Sequence, residues 1–179
     1  MRTFISIDVG SMKPLVELEN ELREGMNVKL VEPENIHLTL KFLGEIGEDI
    51  IPGIGEVMKG SLHGIKPFTA SLHGVGAFPN LNYIKVVWVG LVDNGQMEEI
   101  ASRLNNGLHE YGFKNEKRFV PHATLARVRS ARGKEKLKEL INKNRDKQFG
   151  EVNVECIRLK KSELTKEGPI YNTVLEVKL

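Results

Sequence analysis

Asn35-Ile36-His37-Leu38-Thr39-Leu40-Lys41-Phe42 and Pro121-His122-Ala123-Thr124-Leu125-Ala126-Arg127 carry one phrase twice. His-x-Thr-Leu stands at 37–40 and again at 122–125, an offset of 85 positions. Each copy lies in an apolar run of strand character, and side chains along a strand point alternately to opposite faces. In the first copy Ile36, Leu38, Leu40 and Phe42 share the face expected in the core, while Asn35, His37, Thr39 and Lys41 share the other. In the second, Ala123 and Leu125 point inward and His122 and Thr124 point away. Each strand therefore presents a histidine and a threonine together on the side its apolar neighbours leave free. Packing alone does not call for that placement.

The surrounding pattern repeats as well. A strand over 4–9 precedes a helix that Ser11 can cap, with Leu15, Leu18, Leu22 and Met26 on one face and Pro14 in its first turn. A short strand over 28–31, the motif strand over 36–43 closed by Gly44, a helix over 49–62 and a strand over 68–75 come next, the last entering a Gly/Pro turn at 74–79. The order then restarts with a strand over 84–91 and a helix opened by Asn94 and ended near Gly112. The second motif strand over 119–128, a helix over 134–147, and strands over 152–159 and 171–177 joined around Gly168-Pro169 complete the chain. Both halves run strand, helix, motif strand, helix, strand, which suggests an internal duplication at approximately 1–80 and 81–179. The expected fold is α+β and bilobal. It has two antiparallel sheets related by a pseudo-twofold axis, each backed by helices, with the motifs facing each other across a central cleft.

The 179 residues suit one domain or two small lobes packed together, and 40% hydrophobic content supports a real core. The single cysteine, Cys156, excludes an intramolecular disulfide and a thiolate metal cluster. No apolar run has transmembrane length, and the first residues lack a signal-peptide pattern. A soluble cytoplasmic protein, monomeric and not associated with membranes, is expected. The net charge of +2 is unevenly spread. Residues 1–60 hold 6 Lys and Arg against 11 Asp and Glu, whereas residues 127–147 hold 9 against 3. The basic stretch would suit a polyanion or simply form a solvated helix face.

Imidazole has an ordinary pKa near 6.5, so one ring can be neutral and its twin protonated near neutral pH. Such a pair can serve one reaction as general base and general acid, each contributing about 10²–10⁴-fold. Displacement at phosphorus fits, with one ring taking a proton from water and the other protonating the leaving oxygen. The threonine hydroxyls can donate to the non-bridging oxygens. Threonine is a poor metal ligand and no carboxylate or thiolate accompanies the motif, so no metal and no other cofactor is expected.

The paired His-x-Thr motifs resemble those of the two-histidine (2H) phosphoesterase superfamily, and more closely the RNA 2′,3′-cyclic phosphodiesterases, long labelled 2′-5′ RNA ligases. The residues that carry the likeness are Arg2-Thr3-Phe4-Ile5-Ser6-Ile7-Asp8, Glu34 to Glu45, Gly74-Val75-Gly76-Ala77-Phe78-Pro79 and Phe119 to Arg127, in order along nearly the whole chain. The resemblance implies a single bilobal domain that opens an RNA 2′,3′-cyclic phosphate to a 2′-phosphate end, on substrates that could include tRNA fragments. It also implies that His37 is the proton donor to the leaving 3′ oxygen, that His122 is the proton acceptor for water, and that Thr39 and Thr124 hold the phosphate. Chemistry alone does not assign that direction. Arg127 often has a counterpart in this family and is a candidate phosphate contact. Strict alternation puts it on the face of Leu125, and a bulge or the strand's end would turn it inward.

Alternatives remain at this level: 2′-5′ ligation of RNA ends (the reverse reaction), hydrolysis of a small cyclic phosphate such as that of ADP-ribose, or a non-catalytic RNA or nucleotide binder. Phe4 suits either the cleft, stacked on a base, or the core. Trp88 is expected in the core and Cys156 as a buried thiol. His63, His73 and His109 lack the motif context and are expected to be structural or exposed, with His73 the first exception to consider. Gly74-Val75-Gly76 lacks the third glycine and following helix of a dinucleotide fingerprint.

Overall fold

The computed structural model describes all 179 residues. The strands are β1 (Arg2–Asp8), β2 (Val28–Leu30), β3 (His37–Glu45), β4 (Phe68–Asn80), β5 (Tyr83–Val92), β6 (His122–Val128), β7 (Gln148–Val154), β8 (Cys156–Thr165) and β9 (Gly168–Lys178). The helices are α1 (Lys13–Arg23), α2 (Ile51–Ser61), α3 (Gln96–His109) and α4 (Lys134–Lys143). All strand pairs are antiparallel, in the order β7-β4-β5-β6-β3-β1-β8-β9, and β2 adds to β6. The fold is α+β with two similar four-strand halves. The motif strands β3 and β6 lie side by side along the central cleft, joined where Leu38 pairs with Ala123.

The halves exchange strands. β4, the last strand of the first half, pairs with β5 of the second, and β8 of the second pairs with β1 of the first. α1 packs against β6 and β7 and α4 against β4, while α2 and α3 pack together and touch β9 and β3 respectively. Neither half of the sequence thus makes its own lobe. Leu38, Leu40, Ala123 and Leu125 lie in the core with Leu15, Leu22, Ile54, Met58, Ile100 and Leu104 of the helices. Removing these apolar side chains from water is the main driving force for closing the layers.

Several elements differ from their sequence expectation. Residues 74–79 are strand, not turn. β4 runs on to Asn80, because β5 supplies partners from Val75 to Asn80 that outweigh the Gly/Pro content. A register shift between Leu72 and Val75 absorbs Gly74, whose φ of 77° suits glycine. The reversal falls at Leu81-Asn82, where the Asn80 side chain accepts from the Asn82 and Tyr83 amides. Met12, not Ser11, precedes the first helix, which ends before Met26. α4 stops at Lys143, where the Asn144 side chain donates to the Leu140 carbonyl at 2.8 Å. The expected strand over 152–159 is two strands, since β7 pairs with β4 at one end of the sheet and β8 with β1 towards the other. No helix is long and apolar enough to cross a membrane.

Candidate active site

Antiparallel pairing of Leu38 with Ala123 sets the register of everything beside it. His37 comes opposite Thr124 and Thr39 opposite His122, so the two phrases interlock as a four-residue patch on one face. In a regular ladder such diagonal positions lie ~7–8 Å apart. The charge on His122 is among the influences that lower the His37 pKa. All four side chains are half-buried on the face away from the helices.

The two rings are held alike. Nδ1 of His37 lies 2.7 Å from the carbonyl oxygen of Asn35, and Nδ1 of His122 lies 2.6 Å from that of Val120. A carbonyl only accepts, so each Nδ1 carries the hydrogen and each Nε2 is left free for chemistry. Burial is the largest influence on His37 and lowers its pKa, with Lys160 and His122 adding to the effect and the Asn35 carbonyl and Asp8 opposing it.

Each ring also sits among aromatic side chains. Phe4 stacks on His37 at 4.9 Å between centroids, and Tyr171 meets His37 edge-on at 5.3 Å. Phe78 meets His122 edge-on at 4.9 Å, with Trp88 at 6.0 Å. Phe4 therefore serves both core and cleft, being only 5% exposed yet stacked on the ring. Trp88 is half-buried beside His122 rather than in the core, because its position on β5 pairs with Thr124 on the cleft face. The ring lies flat on Gly76, where an added Cβ would come within 2.8 Å of three of its atoms. Phe78, Trp88 and Tyr171 could not be read as site residues from the sequence. Their neighbours along the chain say nothing of the strand pairs that bring them to the histidines.

The alternation of both motif strands breaks at matching places. Ser6 pairs with Thr39 and Ile5 with Lys41, leaving Leu40 as an extra residue. Trp88 pairs with Thr124 and Val87 with Ala126, leaving Leu125 as an extra residue. Each bulge falls three positions after its histidine and reverses the facing of the residues beyond it. Phe42, expected in the core, is consequently 66% exposed on the cleft side at 6.4 Å from Phe4. Lys41, expected beside His37, is 3% exposed beneath the sheet. Its Nζ donates to Asn105 Oδ1 at 2.8 Å and to the Lys114 carbonyl at 2.6 Å, and lies 3.5 Å from a Glu116 carboxylate oxygen. By the same reversal Arg127 turns to the exposed cleft side, and its charge opposes the burial that raises the Tyr171 phenol pKa.

Beyond His37 lies an ion cluster. Asp8 is engaged by Lys160 and, at 2.9 Å, by Arg158, which also bonds Glu176 at 2.9 Å. His63 and His109 are exposed, while His73 is half-buried in β4. No three His, Cys, Asp or Glu side chains group as a metal site would require.

The model of the LigT-like phosphoesterases matches residues 6–88 and again 89–171, and the chain belongs to that family. It is 38% identical to the RNA 2′,3′-cyclic phosphodiesterase of Methanothermobacter thermautotrophicus, covering 99% of this chain and 97% of that one. It is 40% identical to the protein of the same name from Methanocaldococcus jannaschii, covering 98% and 99%. Among solved structures, the crystal structure of TT0787 of Thermus thermophilus superposes with a TM-score of 0.81 at 29% identity, covering 100% of this chain and 98% of that one. Escherichia coli LigT in its apo form has a TM-score of 0.71 at 22% identity, covering 99% and 96%, an agreement of fold.

Proposed function

We propose that this chain hydrolyses 2′,3′-cyclic phosphate ends of RNA to 2′-phosphate ends, without a metal, by acid–base catalysis between its two histidines. The observation that carries the reading is the Leu38–Ala123 register, which sets both His-x-Thr phrases on one face with both Nδ1 atoms tied to carbonyls. The names of full-length relatives at about 40% identity supply the substrate class.

Neutral His122 takes a proton from water at Nε2. The water oxygen attacks phosphorus in line with the 3′ oxygen, the P–O3′ bond breaks, and protonated His37 gives its Nε2 proton to that oxygen. A 2′-phosphomonoester and a 3′-hydroxyl result. The direction is taken from the family resemblance. Burial favours neutral His37 in the empty cleft, and an anionic phosphodiester beside the ring favours the imidazolium it needs to be the donor. Thr39 and Thr124 donate to the non-bridging oxygens, and Arg127 adds a cation from the cleft side. Preorganised donors of this kind are typically worth ~10²–10³ in rate each.

The test is product mapping on a short RNA ending in a 2′,3′-cyclic phosphate, in excess chelator. A 2′-phosphate product, with activity abolished in folded His37→Ala and His122→Ala proteins, is the expected result. Normal turnover by either variant rejects the mechanism. Binding of the same RNA without product would leave a binding module instead.

A further inference from the structure

Arg127, which follows the second motif on its strand, also lines a groove at the end of the sheet. Val86 and Arg127 are cross-strand partners at the junction. Two residues from Val86 on the same face of β5 is Trp88, beside His122. On the far side of this pair lies a groove of about 510 Å³, formed by the β4–β5 turn, the end of β6 and the segment leading into α4. Lys85, Arg127, Arg129, Arg132 and Lys134 line it, all of them exposed. No carboxylate lines it. None of these five cations belongs to any of the ion pairs that tie up Lys41, Lys59, Arg103, Arg158, Lys160 and Lys161 elsewhere. Between the cations are apolar side chains, and Tyr83 stands 61% exposed at the rim with Lys85 Nζ 5.2 Å from its ring centre.

Unpaired cations along one wall, apolar floor and an open aromatic are what single-stranded nucleic acid requires of a track: charge for the backbone and a ring for a base. Such cations repel one another without a polyanion between them. We infer that this groove binds the single-stranded RNA on the 5′ side of the cyclic phosphate, its phosphates against Lys85, Arg129, Arg132 and Lys134 and a base on Tyr83. The inference rests on the hydrolase reading for its polarity, since a 3′-terminal cyclic phosphate between the histidines leaves only upstream nucleotides to enter the groove. From His122 to Arg127 the strand, shortened by its bulge, spans roughly 13–16 Å at ~3.3 Å per residue, so the groove serves nucleotides beyond the terminal one. Apart from Arg127, its residues take no part in the bond-breaking step.

Arg129→Glu/Arg132→Glu is the test, beside a control with the same charge change placed elsewhere, Lys66→Glu/Lys178→Glu. Fluorescence anisotropy with a 3′-hydroxyl single-stranded RNA measures the groove whether or not the chain is an enzyme. The groove variant should bind at least about tenfold more weakly, with the log–log salt slope reduced by about 1.4 for two lost phosphate contacts at ~0.7 each. Tyr83→Ala should weaken binding and leave that slope unchanged. With cyclic-ended RNA the groove variant should raise KM by a similar factor, while kcat and KM for a nucleoside 2′,3′-cyclic monophosphate stay as in the native chain. Unchanged RNA affinity, or an equal loss in the control, overturns the inference. Failure of the native chain to turn over either substrate would instead remove the hydrolase reading, with the anisotropy result still deciding whether RNA lies in the groove.

Discussion

Replacing Glu19 by methionine should stabilise the protein in a strongly pH-dependent way. Glu19 lies on the buried face of α1 with Leu15, Leu18 and Leu22, is 3% exposed, and has no hydrogen-bond partner for either carboxylate oxygen. Burial, with Glu32 adding, Arg23 opposing and Glu34 adding, pushes its carboxyl from 4.5 to about 7. The folded pKa is above the unfolded one, so the folded chain holds a proton the unfolded chain has lost. Stability therefore declines as pH rises from the unfolded value to the folded one, and the full penalty applies above pH 7. The shift from 4.5 to about 7, at ~1.4 kcal/mol per unit, gives about 3 kcal/mol. That is a large share of the ~5–15 kcal/mol by which domains are stable. Urea unfolding of the native chain and of Glu19→Met, near pH 4.5 and near pH 8, measures it, because titrating groups that do not interact with Glu19 cancel in the difference. The advantage of the variant should be larger by about 3 kcal/mol at the higher pH. An advantage equal at both values would show that Glu19 finds a partner or water in solution, and would refute the assignment.

Three further outcomes are expected. Gly76→Ala should displace the single tryptophan, shifting its fluorescence emission and lowering kcat through the Trp88–His122 contact, at a stability cost of about 1–3 kcal/mol; an unmoved emission spectrum would show that the ring does not rest on Gly76. Lys41→Met should cost about 1–3 kcal/mol by leaving the Lys114 carbonyl unpaired and removing one of the two donors to Asn105 Oδ1, with faster amide exchange over 114–120 as the local sign that this lysine anchors the approach to β6. The ring protons of His37 should titrate below the ordinary 6.5 in the free protein and move upward when a nucleoside 2′-phosphate is added; a midpoint above 6.5 without ligand would contradict the burial of that ring. Since folding disfavours the charged His37, its contribution to stability is present above pH 6.5 and is lost as pH falls through its lower folded value.

The histidine and threonine pair of each motif was legible because it needs only three residues of strand alternation, and it lies wholly before the bulge. Lys41 and Phe42 were misplaced for the complementary reason. They come after Leu40, and the extra residue exists only relative to β1. Arg127 was ambiguous on the same ground, and the bulge at Leu125, defined against β5, settles its facing. Residues 74–79 show the tertiary environment overriding local chemistry. Their glycines and proline favour a turn in isolation, yet pairing with β5 along one edge holds them in a strand.

What the amino-acid order determined alone is the duplicated strand–helix rhythm and the two His-x-Thr phrases on the faces opposite their apolar neighbours, since burial by period is a local property of the chain. Only the folded molecule decided that β3 and β6 touch, that β4 and β8 cross to the other half, and that Phe4, Tyr171, Phe78 and Trp88 enclose the rings. Register, bulges and strand neighbours are relations between distant segments. They depend on which partner an edge meets when the helices close over the apolar face, and no stretch of sequence carries that information by itself.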